Sequence, residues 1–150
     1  MMNSIAWVIL LALIVDFVIG VLLTILNIRS LQAIPPRGLE DVYDPGAYRT
    51  SQTYTRTHAN FGLFSSSINL GLLLIFWFSG GFNFLDQIVR STGWGEVWGG
   101  VLFIGLLGLI VMLVNIPQGL YSTFVIEGRF GFNKSTLSTY LIDTAKSVSI

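Results

Sequence analysis

Three stretches of the chain are almost unbroken runs of apolar side chains, and its polar residues are gathered between and after them. Residues 5–28 (IAWVILLALIVDFVIGVLLTILNI) exceed the ~20 residues a helix needs to cross a bilayer. No basic residue precedes them and no small-residue cleavage site follows, so they read as a retained span and not as a signal peptide. Residues 61–78 (FGLFSSSINLGLLLIFWF) form a shorter span that carries Ser65, Ser66, Ser67 and Asn69. Residues 97–116 (VWGGVLFIGLLGLIVMLVNI) form a third, with no charge and four glycines. A segment in hydrocarbon must satisfy its own backbone, so all three are expected to be α-helices.

The segments between the spans punctuate this pattern. Pro35-Pro36 ends any helix arriving from the first span. Asp44-Pro45 starts a new one, because the carboxylate caps and a proline in the first turn loses no needed hydrogen bond. Nothing after Pro45 breaks a helix until Gly80-Gly81, which predicts one long helix over residues 45–78, ~50 Å at 1.5 Å per residue. That exceeds the ~30 Å hydrocarbon core, so its first half should project into water. Residues 84–90 (FLDQIVR) predict a short amphipathic helix with Leu85, Ile88 and Val89 on one face, and Trp94 and Trp98 beside it suit the lipid–water interface. Pro117 should kink the third helix without ending it, and Gly128 or Gly131 should stop it. A further helix then begins, with Asn133 or Ser135 as cap, Leu137, Tyr140, Leu141 and Val148 on one face, and Asp143 and Lys146 as an (i, i+3) pair. The sequence stops with that helix unfinished, which leads us to expect a fragment of a longer protein. The predicted fold class is all-α integral membrane: three transmembrane helices and an unfinished fourth.

Composition agrees. Charged residues make up 11% of the chain, against roughly 25% in soluble domains, too few to cover a wetted surface. Eight basic and eight acidic side chains cancel, which gives no support for a nucleic-acid partner and leaves membrane lipid as the first one. The absence of cysteine excludes disulfides, thiolate metal sites and cysteine nucleophiles. Arg29, Arg37, Arg49 and Arg56 lie between spans one and two, Arg90 alone lies between spans two and three, and Arg129, Lys134 and Lys146 follow span three. The positive-inside rule then places the N-terminus outside, with the first loop and residues 127–150 in the cytoplasm.

Candidate chemistry is sparse. Asp16 sits near the middle of span one, where a carboxylate costs roughly 2.5–3.5 kcal/mol and almost always faces protein or a water-filled cavity. It is read either as lining a chamber or as hydrogen-bonded to a neighbouring helix through Asn69 or Asn115. The serines of span two most often mean close helix packing. A serine nucleophile would need a base, and His58 is the sole imidazole. No residue is assigned a catalytic or metal-binding role. Residues 127–134 stand out: Glu127, Arg129, Phe130, Gly131, Phe132, Asn133 and Lys134 mix charge, aromatic area and a glycine turn. Basic and aromatic residues at a helix exit can anchor a chain to anionic headgroups. That does not explain the framing Glu127 and Asn133, or the glycine between two phenylalanines, so an ordered turn that docks onto another domain is the better reading.

The pattern Glu127-x-Arg129-Phe130-Gly131-Phe132-Asn133-Lys134, followed by Thr136-Leu137 and Asp143-x-x-Lys146, resembles the signature of the type I CAAX prenyl proteases, membrane-embedded zinc metallopeptidases. The double proline and Tyr48 and Tyr54 extend the likeness upstream. The resemblance implies the N-terminal membrane region of a protein two to three times longer, a bundle of seven membrane helices around a hydrated chamber. It further implies a domain carrying His-Glu-x-x-His, in which two histidines bind zinc and the glutamate activates water. That motif is absent from these 150 residues, so the zinc cofactor belongs to the parent. The implied function is scaffolding for proteolysis of prenylated or membrane-associated protein substrates, with this chain inactive alone. Its partners would be the missing C-terminal helices and zinc domain. The other reading is a non-catalytic membrane scaffold or adaptor of the same fold. The expected location is a bacterial or archaeal plasma membrane, or the endoplasmic reticulum of a eukaryote.

Overall fold

The computed structural model describes residues 3–31 and 44–147. Five α-helices account for most of them: α1 (Ser4–Ser30), α2 (Pro45–Phe78), α3 (Gly81–Ser91), α4 (Gly95–Leu120) and α5 (Leu137–Ser147). Among the described residues three helices, Ser4–Ser30, Pro45–Phe78 and Gly95–Glu127, are long and apolar enough to cross a membrane. Pro35, Pro36 and Val148 lie outside the described residues. The chain divides into two compact units, Met1–Leu70 and Gly71–Ile150.

The first unit holds α1 and most of α2. Asn3 caps α1, its Oδ1 accepting the Ala6 N–H at 2.8 Å, and Arg29 in the last turn complements the negative end of the helix dipole. Asp44 caps α2 in the same way, accepting the Ala47 N–H at 2.7 Å, with Pro45 as the first helical residue. The polar half of α2 then runs on hydroxyls that donate back one turn. Thr50, Thr53, Thr55 and Thr57 bond the carbonyls of Gly46, Arg49, Ser51 and Thr53. Such back-bonding keeps threonines inside a helix without other partners.

The second unit begins at the end of α2. Gly80, at φ +81°, adopts a left-handed conformation that glycine enters without a Cβ penalty, so α3 follows α2 after the two-residue turn Ser79-Gly80. Phe82 closes the corner edge-on against Phe76 (4.9 Å between centroids) and Trp77 (6.3 Å), and a Cβ on Gly81 would overlap the Phe76 ring. The amphipathic helix read from residues 84–90 therefore starts earlier, at Gly81. Its inward face is also narrower: Leu85 and Val89 are 6% exposed, whereas Ile88 points outward with Phe84.

The third span passes through Pro117, which offers no N–H to the Leu113 carbonyl. The helix runs on to Leu120 and widens into a π-type turn, Tyr121–Glu127, where Ile126 is 3% exposed. Widening of this kind is one way a helix absorbs a broken ladder. The stop falls at Gly131, not Gly128. Gly131 takes φ +75°, and the Phe132 and Gly131 N–H groups donate to the carbonyls of Glu127 (2.9 Å) and Gly128 (3.2 Å). This is the Schellman pattern with glycine in its left-handed position. The helix that follows is capped by Thr136, whose Oγ1 accepts the Thr139 N–H at 3.2 Å, and not by Asn133 or Ser135. Asn133 turns the chain instead, its Oδ1 accepting the Ser135 N–H at 2.7 Å, two residues on, where a helix cap would reach three. Among the described residues the ion pair that forms is Asp86–Arg90, not Asp143–Lys146.

Candidate functional site

Residues 127–134 occupy the helix stop just described. The backbone is fixed by the two Schellman bonds and by a third, from the Asn133 N–H to the Glu127 carbonyl at 3.3 Å. Around this rigid turn the side chains divide. Glu127, Phe130 and Asn133 are half-buried, while Arg129, Phe132 and Lys134 are exposed, Phe132 to 54%. The Arg129 guanidinium lies 5.9 Å from the centre of the Phe130 ring, within cation–π range. The turn therefore presents Arg129, Phe132 and Lys134 on its outer side.

A second feature is a cleft of about 600 Å3 in the first unit, between α1 and α2. Asp16, Thr24 and Asn27 line it from α1, and His58, Ser66 and Asn69 from α2. Helical spacing carries one polar stripe along each helix, with Gly20 and Gly62 opening the middle. Asp16 thus shares a cavity with Asn69. Asn115, the other polar residue singled out in a span, lies in the second unit, where its Nδ2 donates to the Val111 carbonyl of its own helix at 2.8 Å. His58 and Ser66 face the same cleft but stand eight residues apart on α2, about 12 Å of helical rise, too far for base and nucleophile. His58 instead meets the Tyr54 ring, 5.6 Å between centroids. A polar cleft between two helices of this kind can hold water or a polar chain.

The sequence holds one histidine and no cysteine, and among the described residues no three His, Asp or Glu side chains converge. A catalytic zinc takes three protein ligands.

A third cleft, of about 990 Å3, lies in the second unit between α3 and the start of α4. Asp86 and Arg90 line it from α3, followed by Trp94 and Glu96. The Arg90 Nε donates to Asp86 Oδ2 at 2.7 Å. That hydrogen bond and the carboxylate charge, with Glu96 adding a smaller share, hold the guanidinium above its ordinary pKa. The (i, i+4) spacing of Asp86 and Arg90 was a readable signal for the pair, but the cleft itself depends on how α3 folds back onto α4.

The family described as "CAAX prenyl protease N-terminal, five membrane helices" matches residues 24–150. CAAX prenyl protease 1 of Saccharomyces cerevisiae is 32% identical over 126 residues, covering 77% of this chain and 28% of that protein. The Mus musculus homologue of CAAX prenyl protease 1 is 31% identical over 121 residues, covering 74% of this chain and 25% of that protein. The crystal structure of S. mikatae Ste24p superposes with a TM-score of 0.81 at 32% identity, covering 91% of this chain and 33% of that one. The chain therefore spans about a quarter to a third of the length of the relatives it matches.

Proposed function

Because the chain belongs to the CAAX prenyl protease family, as its N-terminal membrane region, we propose that it is the membrane scaffold of a zinc metalloendopeptidase. The observation that supports this reading is the turn at residues 127–134, held in one shape by its backbone with Arg129 and Lys134 exposed. The turn docks the domain that holds zinc, whose ligands lie outside residues 1–150. The whole protein cleaves prenylated or membrane-associated protein substrates, and the 150-residue chain is silent alone. Grafting the chain in place of the matching region of the S. cerevisiae protein tests this. The chimera should hold zinc and cleave a prenylated CAAX peptide, and the isolated chain should do neither. One tight zinc per isolated chain would overturn the reading. A chimera that inserts and loads zinc without cleaving would favour a non-catalytic scaffold.

The orientation follows from the arginines: N-terminus outside, residues 29–60 and 127–150 inside. The chain has no cysteine, so Thr50→Cys gives a single reporter. A membrane-impermeant maleimide should leave it unlabelled in intact cells and label it after permeabilisation. Labelling from outside would reverse the topology.

A further inference from the structure

The cleft between α3 and α4 has no part in the docking turn, and its chemistry is of another kind. Its mouth carries Asp86, Arg90 and Glu96. Arg90 is already neutralised by Asp86 at 2.7 Å, so the charge left over at the mouth is the Glu96 carboxylate. Beside it stands Trp94, 60% exposed, with its indole available. The wall along α4 is apolar, formed by half-buried Phe103 and exposed Ile104. From Glu96 to Ile104 is eight residues of helix, about 12 Å. The cleft thus grades from charged to apolar along the first two turns of a membrane span.

The same residues suit a place at the bilayer surface. Trp94 and Trp98 flank the start of α4, as tryptophans do at a membrane–water interface. Helix α3 buries Leu85 and Val89 while Phe84 and Ile88 face outward, which suits a helix lying in that interface. A soluble metabolite has no use for a floor that continues into hydrocarbon. A phospholipid does.

We infer that the α3–α4 cleft binds one choline phospholipid, its quaternary ammonium between the Trp94 ring and the Glu96 carboxylate and one acyl chain along Phe103 and Ile104. The ammonium gains cation–π and ionic attraction from one side of the mouth. Arg90 spends its Nε on Asp86 and keeps its terminal N–H groups for the phosphate. A phospholipid without an ammonium offers Arg90 the same phosphate but leaves the Glu96 charge uncompensated, so the site selects against it. Gly100 leaves room for the chain, since a Cβ there would meet nothing within 4 Å.

Native mass spectrometry of the full chain in non-ionic detergent tests this, with phosphatidylcholine and phosphatidylglycerol of identical acyl chains offered in equal amounts. One retained phosphatidylcholine should be favoured by about fivefold, the scale of an exposed cation–π contact. Trp94→Leu and Glu96→Gln should each bring the ratio towards unity. Both side chains are exposed, so neither change removes packing, and unchanged helicity by circular dichroism checks the fold. Gly100→Leu should lower retained phosphatidylcholine, whereas Gly108→Leu, where a Cβ also meets nothing within 4 Å, should not. Equal retention of the two lipids, preference for phosphatidylglycerol, or identical behaviour of the two glycine variants would overturn the assignment.

Discussion

Replacing Gly119 with valine is expected to free α5 from the third span. Tyr140, in the first turn of α5, reaches across so that its hydroxyl end occupies the place a Cβ on Gly119 would take. Its ring meets Phe124 edge-on at 6.1 Å between centroids. Among the described side chains of α5, Tyr140 and Thr144 are half-buried and the others exposed, so this contact is the main tie. An edge-to-face pair contributes roughly 0.5–1.5 kcal/mol beyond the area it buries. A helix of 11 residues is marginal by itself, so that contribution decides whether α5 is held. Valine otherwise favours helix over glycine, which assigns any loosening to the clash. Trypsin cleavage after Lys134 should accelerate about tenfold, corresponding to ~1.4 kcal/mol of docking free energy. Tyr140→Ala should do the same and Gly108→Val should not. Protection retained in both Gly119→Val and Tyr140→Ala would show that α5 is held elsewhere.

That contact marks the boundary of what the sequence makes legible. The limits of α2 are local chemistry: a carboxylate and a proline at Asp44-Pro45, and glycines at Gly80-Gly81, each act within one turn of where they stand. The spans were equally plain, because an apolar run of that length has one physical solution in lipid. The Gly131 stop was readable as one of two glycines, and the choice between them was made by the ladder reaching Glu127 after its widening at residues 121–127. Thr136 as cap was hidden by Asn133 and Ser135, equally good cap residues, until the geometry of the preceding turn had used Asn133. The pairing of Tyr140 with Gly119, the cleft shared by Asp16 and Asn69, and the α3–α4 cleft depend on which faces meet across space. Periodicity names a face; it does not name its neighbour. The composition of residues 127–134 was visible at once, whereas the division of its side chains into half-buried and open was not.

If residues 127–134 dock a zinc domain as proposed, Gly131→Ala and Arg129→Lys should each lower proteolysis by the full-length protein while leaving membrane insertion and zinc content intact. At Gly131 the cause is backbone shape alone: a Cβ would meet nothing within 4 Å, but φ is +75°. An alanine held there costs roughly 1–2 kcal/mol, a factor of about five to thirty in the population of the docked turn. Gly128 gives the matching control, since it sits in helical conformation at φ −58° with the same empty surroundings. Gly128→Ala should therefore be neutral or slightly stabilising. Arg129 acts through its side chain. Among the described residues its guanidinium meets the Phe130 ring and no carboxylate, so its planar fork remains available to a carboxylate on the domain proposed to dock there. Lysine keeps the charge and loses the fork. A headgroup anchor would respond differently, because lysine and arginine both bind anionic lipid and a surface anchor tolerates a distorted turn. Activity at the wild-type level in both Gly131→Ala and Arg129→Lys would make residues 127–134 a headgroup anchor. A loss in both, with Gly128→Ala unaffected, would place the docking function on the shape of this one turn.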